Sequence, residues 1–160
     1  MSLETDTQVR PTDPKAIREL VKRSNVFNDV EIEIAGDLAD AVLDGSDTSY
    51  QFIFYRDASG NPIAYSCYGE IPLTDKRYDL YWIVVDPAYQ GQGLAAKLIE
   101  ETSARIVALG GSLLYAETSG TEAYSPARKF YAKHGFAEAA RFPHFYREND
   151  DKIVFVKKIA

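Results

Sequence analysis

Apolar positions along the chain recur first at helical spacing and then in short β-like runs. Ile17, Leu20 and Val21 follow Asp13-Pro14, which predicts a helix with Asp13 as N-cap and Pro14 at its first position. Val30, Ile34, Leu38, Ala41 and Val42 predict a second helix over about 29–43. Within it, Glu31-Ile32-Glu33-Ile34 also alternates as a strand would, and Gly36 counts against a helix. From Tyr50 the texture becomes β-rich. Segments 51–56 and 63–70 flank the turn cluster 57–62 and predict an antiparallel hairpin. Segment 78–85 (YDLYWIVV) predicts a strand largely buried on both faces. A helix follows over about 93–109, with Ala95, Ile99, Thr102, Ile106 and Leu109 on one stripe, and Gly110-Gly111 stops it. Segment 112–118 is a strand. Tyr124-Ser125-Pro126 starts a short helix, Ser125 capping and Pro126 at its first position, which ends at Gly135. Segments 136–141 and 152–159 close the chain as two strands around a loop.

The expected order is therefore α α β β β α β α β β. It makes one α/β (α+β) domain over 11–160, a mixed and mostly antiparallel central sheet flanked by helices, behind a flexible leader over 1–10. The β–α–β unit at 78–118 supplies a right-handed parallel crossover.

Composition narrows the function classes. The 160 residues carry a net charge of -6, so the basic face of a duplex nucleic-acid binder is missing; Lys157 and Lys158 are only a pair. An acidic exterior keeps a protein soluble and mildly attracts cations such as amines. The single cysteine, Cys67, rules out an intrachain disulfide and fits a reducing, cytoplasmic setting. No apolar run approaches the roughly 20 residues of a membrane helix, and the N-terminal MSLETDTQ lacks a signal-peptide core. Two histidines and one cysteine lie too far apart to suggest a metal site.

The most informative segment is Val84-Val85-Asp86-Pro87-Ala88-Tyr89-Gln90-Gly91-Gln92-Gly93-Leu94-Ala95-Ala96. A strand stops, a loop turns, and two glycines open a helix. Glycine lets a ligand approach the backbone, and the first N–H groups of a helix have no internal partner. Their partial positive charge suits a phosphate or pyrophosphate. The same glycines are also compatible with a tight turn alone. Gly91-x-Gly93-x-x-Ala96 further matches a dinucleotide-binding fingerprint. There, however, the strand runs almost directly into the first glycine, whereas here five residues, 86–90, intervene.

The run from Val85 to Ala95, V-x-P-x-x-Q-G-x-G-x-A, resembles the coenzyme A loop of the GNAT superfamily of N-acetyltransferases. Gln90, Gly93 and Ala95 occupy that loop's defining positions, with Gly91 as the usual extra glycine. A second block, Ala127-Arg128-Lys129-Phe130-Tyr131-Ala132-Lys133-His134-Gly135-Phe136, is similar to the family's A-x-x-F-Y-x-x-x-G-F signature and follows at the expected distance. One departure concerns Tyr124, where many members carry Asn; Ser125 is the substitute at hand.

The resemblance implies an acetyl-CoA-dependent N-acetyltransferase acting on a small-molecule or peptide primary amine, without a metal. It implies that Gln90, Gly91, Gln92, Gly93, Leu94, Ala95 and Ala96 hold the pyrophosphate. Ile83, Val84 and Val85 would pair with the pantetheine arm, with a backbone N–H near Val84 meeting the oxyanion. Ser125 and Tyr131 would contact the cofactor, Tyr131 as general acid to the departing thiolate. Read without the resemblance, Tyr131 is a core aromatic of an amphipathic helix. Glu117 and Asp79 are candidate general bases through a water chain, although a solvated or ion-paired carboxylate is the plainer reading of each. The rival to catalysis is a regulatory module that binds acyl-CoA without turning it over. The sequence leaves the acceptor, the acyl length and the oligomeric state open, a homodimer being one option.

Overall fold

The computed structural model describes residues 4–160. The elements are β1 (Thr5–Asp6), α1 (Asp13–Arg23), α2 (Asp29–Asp44), β2 (Gln51–Arg56), β3 (Pro62–Glu70), β4 (Arg77–Val85), α3 (Leu94–Ala108), β5 (Leu113–Ser119), α4 (Ser125–Lys133), β6 (Ala137–Arg147) and β7 (Asp150–Lys158). The strands form a seven-stranded mixed sheet in the order β1-β2-β3-β4-β5-β7-β6. β4 pairs with β5 in parallel, the crossover expected from the sequence; β1–β2, β2–β3, β5–β7 and β6–β7 are antiparallel. The chain divides into two compact units, residues 1–69 with 82–102 and residues 70–81 with 103–160.

In the first unit, α1 and α2 cover strands β2 and β3. Ile17, Leu20, Val21, Ala35 and Ala39 pack in one core with Phe52, Phe54, Tyr65, Cys67 and Val84. Phe52, Phe54 and Tyr65 stack at centroid distances of 5.5–6.1 Å. The helical reading of 29–43 holds because its start is strongly encoded. Asn28 accepts from the Glu31 N–H at 2.9 Å while Glu31 accepts from the Asn28 N–H at 3.0 Å, a capping box. Gly36 is tolerated mid-helix for a packing reason. A Cβ there would lie 2.4 Å from the Arg18 guanidinium, which reaches over from α1 to Asp37 and Asp40.

Asp13 does not cap α1. Thr12 holds the N-cap position, and the Asp13 side chain, fully buried, accepts two bonds of 2.8 Å from the Arg56 guanidinium and one of 2.7 Å from the Arg10 N–H. A buried carboxylate needs a cation more than a helix end needs a cap. Residues 1–3 of the expected leader lie outside the described residues. Further along it, Thr5–Asp6 pairs with Phe54–Tyr55, and Asp6 accepts from Arg56 at 2.9 Å.

In the second unit, β4 and β5 pair in register from Arg77–Leu113 to Leu80–Ala116. Tyr78, Leu80, Leu114, Ala116, Tyr131, Phe136, Ile153 and Phe155 are buried. The reading of 78–85 as buried on both faces is corrected: alternate residues Tyr78, Leu80 and Val84 are buried while Tyr81 is exposed. Ser125 is likewise no cap; it is the first residue of α4, and Tyr124 precedes the helix. The loop expected between the last two strands is instead hairpin. β6 runs to Arg147, which pairs with Asp150 across a two-residue turn, Asn149 taking the left-handed conformation at φ 62°. Pro143 and the irregular register between Phe142 and Arg147 hide the strand from a period-2 reading.

Candidate active site

Two groups of residues carry chemistry, one in each unit. In the first, β4 ends at Val85 and the chain makes a short 3₁₀ turn over Pro87–Tyr89. Asp86 fixes that turn by accepting from the Ala88 N–H at 2.9 Å, and its other oxygen takes Arg23 of α1 at 2.8 Å. Gly91 and Gly93 then both adopt the left-handed region, φ 81° and 75°, where a side chain is strained. The first helical bond of α3 runs from the Lys97 N–H to the Gly93 carbonyl at 3.1 Å. The N–H groups of Leu94, Ala95 and Ala96 therefore precede the helix's own hydrogen bonding. Residues 90–93 are exposed, and a Cβ built on either glycine would meet nothing within 4 Å. The backbone here is open to solvent, positively polarised and free of side chains over its glycines. That fits a phosphate group. Ile83, Val84 and Val85 lie on the last part of β4, beyond the four residues that pair with β5.

In the second unit, Asp79, Leu80 and Tyr81 of β4, Glu117 of β5 and Tyr146 of β6 line a cleft of about 210 Å³. The two carboxylates named from sequence are thus brought together. Burial pushes the Asp79 carboxyl up to about 6; the negative charge of Glu117 adds to the rise and the Lys152 ammonium opposes it. Lys152 of β7 lies 3.3 Å from Glu117. Asp79 thus holds a proton affinity suited to exchange near neutral pH. Lys152 and Tyr146 escape a sequence reading because the β6–β7 hairpin meets β5 only through long-range pairing. Ser119 stands opposite Lys152, a pairing with no local signature.

Tyr131 lies in the same unit, on α4. Its ring packs against Phe130, Phe136 and Phe155 at centroid distances of 5.8, 5.1 and 5.5 Å. Burial pushes its phenol up to about 12, so it keeps its proton at any physiological pH. It is both a core aromatic and a protonated donor. Ser125 starts the same helix and is half-buried. Among the described residues no group of His, Cys, Asp and Glu is arranged to hold a metal ion.

Comparison with known proteins adds to this geometry. Residues 48–138 match the acetyltransferase (GNAT) domain family. A solved chain from Desulfovibrio desulfuricans, assigned to the GNAT family of acetyltransferases, is 37% identical, with a TM-score of 0.94 and coverage of 99% of this chain and 100% of that one. The ribosomal-protein-S18-alanine N-acetyltransferase from Escherichia coli is 20% identical, with a TM-score of 0.76 over 99% of this chain and 95% of its own. An aminoglycoside 6'-N-acetyltransferase complexed with coenzyme A is 14% identical, with a TM-score of 0.75 over 100% and 98%. At these lower identities the likeness speaks to the fold. No curated protein sequence matches the chain. The family match spans more than half of the chain, and the Desulfovibrio likeness runs its whole length: the chain belongs to the GNAT family of acetyltransferases.

Proposed function

We propose that the protein transfers an acetyl group from acetyl-CoA to the primary amine of an acceptor. The observation that carries this reading is the glycine loop, whose left-handed Gly91 and Gly93 open onto the free amides of Leu94, Ala95 and Ala96. Gln90 and Gln92 flank the glycines as exposed amide side chains able to contact the same phosphates. Ile83, Val84 and Val85 would pair with the pantetheine arm, and a backbone N–H near Val84 would stabilise the oxyanion.

An amine attacks only as the free base, so a proton must leave the ammonium first. The Asp79–Glu117 pair is the proposed base. Asp79 accepts the proton, and the Glu117 charge raises its affinity for it. Glu117 is itself held by Lys152. After attack, the N–C bond forms and the C–S bond breaks; the thiolate leaving group takes a proton, and the second proton lost by the attacking nitrogen restores the group that gave it. Tyr131, protonated at neutral pH, is the proposed donor, with Ser125 on the same helix as a polar contact to the donor substrate.

Release of free thiol from acetyl-CoA across a panel of amines tests the reaction. Amine-dependent thiol release is expected in the wild type. Tyr131→Phe is expected to lower kcat with little change in acetyl-CoA affinity. Thiol release independent of every amine would contradict transfer, and an unaltered kcat in Tyr131→Phe would remove that residue's role.

A further inference from the structure

The hairpin β6–β7 leaves three large rings in solvent: Phe142, Phe145 and Tyr146 are 47%, 54% and 44% exposed. Contiguous exposed apolar surface marks interaction or ligand sites. They are held, not loose. Asp150, itself buried, accepts from Arg147 at 2.9 Å and from the Ser119 hydroxyl; Asp151 accepts from Arg141 at 3.2 Å and from the His144 N–H at 3.0 Å. Phe142 meets Phe145 at 6.1 Å between centroids, and Phe145 meets Tyr146 edge to face at 5.2 Å. Tyr146 also lines the Asp79–Glu117 cleft. One apolar surface therefore runs outward from the carboxylates.

We infer that the acceptor is a primary amine carried on an aromatic or other flat apolar body, the amine entering the Asp79–Glu117 cleft and the body lying on Tyr146, Phe145 and Phe142. This rests on the transferase reading above. The cleft, about 210 Å³, falls short of the roughly 300–1,000 Å³ of pockets that enclose a drug-sized ligand. It takes the amine end and leaves the remainder on the rings. Lys152 already displays the pairing: its ammonium stands 3.3 Å from Glu117 and 4.6 Å from the Phe145 ring centre. For a polycation the hairpin offers a further exposed carboxylate, Glu148, 83% exposed and 3.5 Å from His144. Glu138, Asp150 and Asp151 on the hairpin are engaged by Arg141 and Arg147, and Lys152 partly neutralises the cleft.

The test compares kcat/KM for phenethylamine, ethanolamine and spermidine in the wild type and in Phe145→Ala, whose exposed site tolerates truncation. Phenethylamine is expected to be preferred. In the variant the phenethylamine-to-ethanolamine ratio is expected to fall about fivefold, through KM, from loss of one ring contact. A preference for spermidine, or a ratio unchanged in the variant, overturns the inference and leaves the transferase reading standing. An unchanged ratio together with a sedimentation shift from dimer to monomer would assign the rings to a second copy of the chain. Absence of thiol release on any amine overturns the transferase reading, and the acceptor class falls with it.

Discussion

Asp79 and Asp13 are both carboxylates drawn into the protein, and their surroundings drive them to opposite uses. Asp79 is partly withdrawn from water, and that burial, with the like charge of Glu117 adding to it, raises its carboxyl to about 6 from the usual 3.8. Held higher in the fold than in the unfolded chain, it binds its proton more tightly when native. Its stabilising contribution is full below about pH 4 and is lost as pH rises through 6. Asp79→Asn, neutral throughout, is expected to exceed the wild type in unfolding free energy above pH 6 by about 1 kcal/mol, with the gap closing below pH 4. Urea titrations at the two pH values measure it. The same substitution is expected to abolish the rise of kcat/KM with a midpoint near pH 6; a profile that keeps this limb would shift the base elsewhere. Asp13 instead sits in the core against a forked guanidinium, with Arg56 also stacked 4.3 Å from the Phe54 ring centre. Arg56→Met strands a buried charge and is expected to cost about 3 kcal/mol, and a second change, Asp13→Leu, should recover most of it. A loss under 1 kcal/mol in the single variant would show that the pair is not what holds this corner.

Elements differ in how far local sequence determines them. The α2 helix begins at an Asn28–Glu31 capping box and survives Gly36 at its centre. Asn28→Ala is expected to lower stability by about 1 kcal/mol, measured by thermal unfolding; no change would mean that packing alone fixes its start. The β2–β3 hairpin, α3 and the glycine loop were readable because each has a local signature: a turn cluster, an apolar stripe, a pair of glycines before a helix. Hairpin β6–β7 was legible only at its outer ends, 136–141 and 152–159, since Pro143 and the left-handed His144 (φ 55°) break the alternation that marks a strand. Caps were the weakest reading. Asp13 and Ser125 each stand beside a proline where a cap belongs, yet helix starts fall one residue earlier than the side-chain chemistry suggests, at Thr12 and Tyr124. Local preference loses there to a buried ion pair in one case and to a preceding 3₁₀ turn over Glu122–Tyr124 in the other.

At the scale of the whole molecule, the order of elements along the chain matched the observed one apart from the short β1, and the two sequence blocks, 85–95 and 127–136, both lie within the residues that match the family. The glycine loop was legible because it is contiguous: residues 90–96 carry the whole feature. The carboxylate cleft was only half legible. Asp79 and Glu117 could be named singly, but Lys152 and Tyr146, which tune the cleft and extend its lip, lie 35 and 29 residues beyond Glu117 on other strands. No described helix is long and apolar enough to cross a membrane. The net charge of -6 gives no general attraction for an anionic donor such as the proposed acetyl-CoA, so the proposal assigns its binding to a local feature, the amides of the loop. Calorimetric titration of acetyl-CoA into the wild type, Gly93→Ala and Gly93→Glu tests this most directly. Both substitutions strain the left-handed backbone at φ 75°, and only glutamate adds bulk and negative charge where the phosphates would lie. Saturable binding to the wild type, partial loss in Gly93→Ala and loss of at least about a hundredfold in a folded Gly93→Glu are expected. Wild-type affinity retained in Gly93→Glu would contradict the account.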